Sequence, residues 1–145
     1  AVYPSQKAAL QEIVNGLITI ADEVANGKIN EPFAQQDLSL EESRFSANSK
    51  ADFADNIRSI QNTYTGTYNG LSAASISDLV KAKDATLDAT VRQQTIEAIS
   101  AITAIEGTFT SAIFNAKASV QTAQNKVRNL QETLQSKILP VITGL

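Results

Sequence analysis

The sequence predicts an all-α protein: an antiparallel four-helix bundle with a long loop and an extra short helix. Three observations carry that expectation. Apolar residues recur at steps of three and four through four long segments, which gathers them on one face of a helix. No stretch of useful length alternates apolar with polar residues as a half-buried strand would. The length of 145 residues suits one helical bundle over residues 1–145 around one core.

The first segment covers residues 5–26, where Leu10, Ile13, Val14, Leu17, Ile18, Ala21 and Val24 form the stripe. Asn26-Gly27 reads as its stop, since both residues tolerate the left-handed conformation that closes a helix. Residues 28–47 keep no steady period and Pro32 interrupts them, so they read as a long loop. Ordered loops of that length are often functional. Ser49-Lys50-Ala51-Asp52 then resembles a capping box with Asp for the usual Glu. The helix it opens runs to about Thr65 and turns Phe53, Ile57, Ile60 and Tyr64 inward. Gly66 and Gly70 mark a connection, and Ser75-Ile76-Ser77-Asp78 starts a short helix carrying Leu79 and Val80. Leu87, Val91, Thr95, Ala98, Ile102 and Ile105 give the third stripe over 84–105, broadened by Ile99 and closed by Gly107. Phe109, Ile113 and Phe114 are expected to plug one end of the bundle. The last helix spans 115–138 with Val120, Ala123, Val127, Leu130, Leu134 and Ile138 inside, and Pro140 bars its continuation. All four stripes read as core. Tyr64 and Tyr68 are expected to pack with their hydroxyls at the rim.

Composition narrows the chemistry. Cys, Met, Trp and His are absent. Without Cys there is no disulfide, thiolate nucleophile or zinc–thiolate site. Without His the commonest metal ligand and neutral-pH general base are missing. Twelve Lys and Arg against fifteen Asp and Glu give a formal net charge of −3, with the basic residues scattered. Displacing counterions from nucleic acid takes a basic stripe, so no nucleic-acid partner is expected. No apolar run approaches the roughly 20 residues of a transmembrane helix. The start, Ala1-Val2-Tyr3-Pro4-Ser5, lacks an initiator Met and a signal-peptide pattern, so the chain is expected to be processed or excised.

The densest polar chemistry is Glu41-Glu42-Ser43-Arg44-Phe45-Ser46-Ala47-Asn48-Ser49, which closes the long loop and leads into a helix. Glu42 and Arg44 offer a carboxylate and a guanidinium. Ser43, Ser46, Asn48 and Ser49 add hydrogen-bonding groups beside the free N–H groups of a helix start. Such a cluster can hold a polar ligand, or it can be a cap with a local ion pair pinning the loop. It is not a self-sufficient catalytic site: no His activates a Ser, and no Lys stands at a Ser-x-x-Lys spacing from these serines. Glu41-Glu42 and Asp52 with Asp55 do not show the cross-cleft separation of glycoside chemistry. No calcium loop or glycine-rich phosphate loop is present.

Glu42-Ser43-Arg44-Phe45-Ser46-Ala47-Asn48-Ser49, followed by the run from Asp52 to Gly66, resembles the C-terminal half of imelysin-like proteins. The resemblance continues through Gly70-Leu71-Ser72, Leu79-Val80, the run from Leu87 to Arg92, Gly107-Thr108-Phe109, Ala112-Ile113 and Leu130-Gln131, and so covers nearly the whole chain. It implies a fold of two related helical bundles with a cleft between them. It implies export to the periplasm or, as a lipoprotein, to the surface of a bacterium, and a link to iron uptake in a family also classed as metallopeptidases. The family's hallmark G-x-H-x-x-E belongs to the N-terminal half, and this chain has no His. The implied partner is therefore an N-terminal imelysin-like half, in the same precursor or as a separate chain. By the same resemblance Glu42, Ser43, Arg44, Ser46, Asn48 and Ser49 are the ligand- or cleft-binding residues facing that half. This chain is expected to hold no catalytic residue, metal ligand or cofactor of its own, with iron or another divalent metal in the full-length protein. The leading expectation is thus a ligand-binding module linked to uptake of iron or an iron complex. The alternatives are half of a metallopeptidase and a purely structural bundle.

Overall fold

The computed structural model describes residues 2–145. Ser5 opens α1 (Gln6–Asp22), its Oγ accepting the Ala8 N–H at 3.1 Å. The expected stop at Asn26-Gly27 is overturned. The chain passes through it as a π-helical turn, Glu23–Ile29, into α2 (Asn30–Gln35). Gly27 does not adopt a left-handed φ. Contacts from far along the sequence hold the widened turn. Gln124 Nε2 donates to the Ala25 carbonyl at 3.2 Å and to Asn30 Oδ1 at 2.8 Å, and Arg128 Nε donates to Asn26 Oδ1 at 2.9 Å. Tertiary hydrogen bonds here outweigh a local stop signal worth about 1 kcal/mol. Pro32 falls in the first turn of α2, where a missing N–H is tolerated.

A left-handed Gln36 ends α2. The expected loop therefore shrinks to residues 36–48, which contain 3₁₀ turns at Leu38–Leu40 and Arg44–Ser46. Next comes α3 (Ser49–Thr65), capped on its C-terminal side by Gly66 at φ 63°. A two-residue antiparallel hairpin follows, β1 (Thr67–Tyr68) with β2 (Leu71–Ser72), in the register Thr67↔Ser72 and Tyr68↔Leu71. Asn69 and Gly70 have φ of 49° and 79°, the pair of positive angles a tight type I′ turn requires. At Gly66 a Cβ would stand 2.7 Å from the Ala73 carbonyl oxygen and 2.8 Å from Ser75 Cβ, whereas nothing lies within 4 Å at Gly70. Gly70→Ala should cost about 1 kcal/mol through φ alone, and Gly66→Ala about 3 kcal/mol because backbone must also shift. Equal urea midpoints for the two variants would refute that difference.

The rest of the chain is α4 (Ile76–Lys83), α5 (Ala85–Thr103), α6 (Phe109–Asn115), α7 (Lys117–Thr133), a second π-helical turn (Leu134–Ile138) and α8 (Leu139–Thr143). A reciprocal Ser75–Asp78 capping box starts α4, as its sequence announces. Pro140 does not bar continuation. Like Pro32 it lies in the first turn of an α segment that follows a π turn.

Helix α5 packs between α3 and α7, and α1 against α3, α7 and α8. The buried side chains form one core cluster. Every residue of the α3 stripe and of the 115–138 stripe is fully buried. In the first stripe Ile13 is instead 42% exposed, on the flank of its helix. Phe109 and Ile113 plug the bundle end and Phe109 meets Phe53 edge-to-face, with centroids 5.1 Å apart, but Phe114 remains 40% exposed. No helix among the described residues is long and apolar enough to cross a membrane.

A polar shoulder at one end of the bundle

Residues 36–48 lie over the bundle end beside α6, where Gln36 Nε2 donates to the Ile113 carbonyl at 3.0 Å. Beyond Gln36, two more residues without the freedom of glycine hold left-handed backbone there, Ser43 at φ 59° and Ala47 at φ 55°. Such strain survives only where the surroundings fix it. The fixing is visible: Ser46 Oγ and the Asn48 N–H both donate to the Ser43 carbonyl, at 3.0 and 3.3 Å, and the Ala47 N–H donates to the Arg44 carbonyl at 3.2 Å.

The structure treats the six singled-out residues differently. The Glu42 carboxylate is exposed and pairs with Lys28 Nζ at 2.8 Å, not with Arg44. The local ion pair considered from the sequence is thus replaced by one reaching back to the π turn. The Arg44 guanidinium stacks over the Phe45 ring, 5.5 Å from its centroid, and makes no ion pair among the described residues. Its charge is the last contribution to an Asp37 carboxyl held below its ordinary range, after the hydrogen bonds from Ser39. Phe45 is 99% exposed. Ser43 is half-buried, while Ser46 and Asn48 are exposed. Ser49 turns inward. It is the first helical residue rather than the cap, and the preceding Asn48 instead donates to Asp52 Oδ1 at 2.6 Å. The buried Ser49 Oγ stands 2.7 Å from both Glu41 Oε1 and the Glu42 carbonyl.

Sequence reasoning missed two groups. Glu41 is buried, and Thr110 Oγ1 on α6 donates to it at 3.0 Å. Those partners lie 69 residues apart, so no local pattern could join them. The other group is a buried network at the opposite end of α3. Asp88 Oδ1 accepts from Ser77 Oγ at 2.5 Å and Tyr64 Oη at 3.0 Å, and Oδ2 accepts from Arg92 Nε at 3.0 Å. Arg92 Nη2 also reaches Ser77 Oγ at 2.6 Å. Tyr64 is therefore fully buried with its hydroxyl inside, not at the rim. Burial pushes the Asp88 carboxyl up, but hydrogen bonds from Ser77, Arg92 and Tyr64 outweigh it and hold the carboxyl below its ordinary value. Burial, then the Asp88 charge, pushes the Tyr64 phenol well above its usual range. This network joins α3, α4 and α5. It is a staple of the fold. Among the described residues no group of three or more Asp and Glu side chains converges as a metal site would.

The imelysin family model (Peptidase M75) matches residues 1–136. The curated iron-regulated protein A of Synechococcus elongatus is 30% identical over 145 residues, which cover 98% of this chain and 41% of that protein. A crystal structure of an imelysin peptidase from Bacteroides ovatus superposes with a TM-score of 0.83 at 26% identity, over 95% of this chain and 41% of the other. An iron-regulated protein A precursor from Parabacteroides distasonis gives a TM-score of 0.81, also at 26% identity, with the same coverage of both chains. The chain spans about two-fifths of the length of these relatives. With the family model matched along almost all of its length and the helical bundle shared, the chain belongs to the imelysin family.

Proposed function

We propose that this chain is the C-terminal helical module of an exported imelysin-like bacterial protein, and that it supplies one wall of a ligand-binding cleft used in uptake of iron or an iron complex. The other wall, with the G-x-H-x-x-E motif, would come from an N-terminal half. The observation that carries the reading is the shoulder. Arg44 and the exposed Phe45 stand on a strained, internally bonded loop, and the guanidinium has no ion-pair partner among the described residues. An exposed aromatic beside an unpaired Arg is the kind of anchor that interfaces enrich. Ser43, Ser46 and Asn48 surround it with polar groups, and Glu42 and Ser49 tether it to Lys28 and the core. Any metal would be held mainly by the other half, since carboxylates here do not converge. The names of the relatives support the link to iron, being given to iron-regulated proteins.

The test combines this chain with a separately produced N-terminal segment carrying G-x-H-x-x-E. The chain alone should bind neither ferric ion nor zinc tightly and stoichiometrically, and residues 42–49 should show the main NMR shifts when the segment is added. Arg44→Ala should weaken that association about tenfold, the loss of one charged interface contact, while leaving the melting temperature unchanged. Tight stoichiometric iron binding by the chain alone would overturn the reading. So would a large fall in melting temperature on Arg44→Ala, because Arg44 would then be pinning the loop.

A further inference from the structure

Glu41 lies just before the shoulder and is 8% exposed. Its Oε1 accepts from Ser49 Oγ and Thr110 Oγ1, its Oε2 is buried without a partner, and no Lys or Arg forms an ion pair with it among the described residues. A carboxylate buried without a cation is costly, and most folds avoid it. Its connections explain why it is kept here. Residue 41 is where the shoulder leaves the body, Ser49 is where it returns, and Thr110 belongs to the neighbouring α6. One oxygen joins all three. Ser49 Oγ has a single proton and two acceptors at 2.7 Å, Glu41 Oε1 and the Glu42 carbonyl. Thr110 supplies a bond to Glu41 that does not depend on which of them Ser49 serves.

We propose that Glu41 is the positioning residue of the shoulder. Its clasp on Ser49 and Thr110 closes the base of the loop, keeps Ser43 and Ala47 in left-handed backbone, and thereby sets Arg44 and Phe45 outward. The inference rests on the reading of the shoulder as a binding face, which it deepens.

Amide hydrogen exchange on the 145-residue chain tests it at Ala47 and Asn48, whose N–H groups bond to the Arg44 and Ser43 carbonyls. Thr110→Val should speed exchange at these two amides about tenfold, the loss of one hydrogen bond to a charged acceptor, and Glu41→Ala, which also takes the acceptor from Ser49, at least as much. Amides of α5 should slow or speed only as global stability changes. Glu41→Gln keeps an acceptor at Oε1 and should stay within about twofold of the parent, a fraction of one hydrogen bond. The core control Ile138→Val should leave the two amides unaffected relative to α5. Unchanged exchange in Glu41→Ala and Thr110→Val, or an equal response in the control, would overturn the proposal. So would a Glu41→Gln effect as large as that of Glu41→Ala. If Glu41→Ala fails to fold, Thr110→Val and Glu41→Gln carry the test. Exchange is read on the free chain, so failure of the N-terminal segment to bind the parent would sink the cleft reading alone and leave the role of Glu41 to be decided separately.

Discussion

Asp88→Ala should lower stability by about 3–4 kcal/mol, read as a shift in the urea midpoint at constant slope. The carboxylate accepts from Ser77, Tyr64 and Arg92, and its removal leaves the protons of two buried hydroxyls without their acceptor. Hydrogen bonds to a charged acceptor contribute about 1.5–3 kcal/mol each. The half-exposed Arg92 head keeps the total near the low end of what breaking a buried ion pair costs. The same site writes a signature on the pH profile. The folded-state carboxyl lies below its ordinary value of 3.8, so its contribution is fully present above that value and is lost as pH falls through the lower, folded value. Tyr64 acts with the opposite sign. Its folded phenol lies above 10.0, so its contribution is present below that value and fades as pH rises beyond it. Asp88→Asn should flatten the acid limb, and Tyr64→Phe the alkaline limb. A variant of Asp88 that retains the parent's acid dependence would show that the network is not its source.

Phe53→Ala should cost about 3–5 kcal/mol, the range for emptying a large aromatic from a close-packed interior. Phe53 is fully buried and receives the edge of Phe109 at 5.1 Å, so its loss opens a cavity between α3 and α6 and removes the aromatic pair. For a domain of this length 1 kcal/mol corresponds to about 2–4 °C, so a fall in melting temperature of about 6–20 °C is expected. Phe53→Leu should recover more than half of it. A loss under about 1 kcal/mol for Phe53→Ala would mean that the bundle end collapses to fill the space.

The helical part of the fold was legible because burial imposes its period on the sequence. Phe53, Ile57, Ile60 and Tyr64 follow that period and are all fully buried. So is the run from Val120 to Ile138, which carries the stripe through a π turn. The helix ends were less legible. Asn26-Gly27 and Pro140 are sound local stops, yet hydrogen bonds from Gln124 and Arg128 at the first, and packing of Leu134, Ile138 and Ile142 at the second, keep the chain helical. The Asn69-Gly70 turn carried a hairpin signal, but strands of two residues are too short to show alternation. At the shoulder, the sequence located the polar cluster, and the structure settles its internal bonds. It could not give the Glu41–Thr110 or Lys28–Glu42 contacts, which depend on how distant helices meet.

The two π turns are where this bundle can absorb a change of length. An i→i+5 coil holds one residue more than its α counterpart, and each residue turns an α-helix by about 100°. Excising a single amino acid from 23–29 would let that coil tighten to an α turn, so that Phe33 keeps its seat against the core and Gln36 its bond to Ile113. The same excision within a regular α segment would swing everything beyond it around the axis.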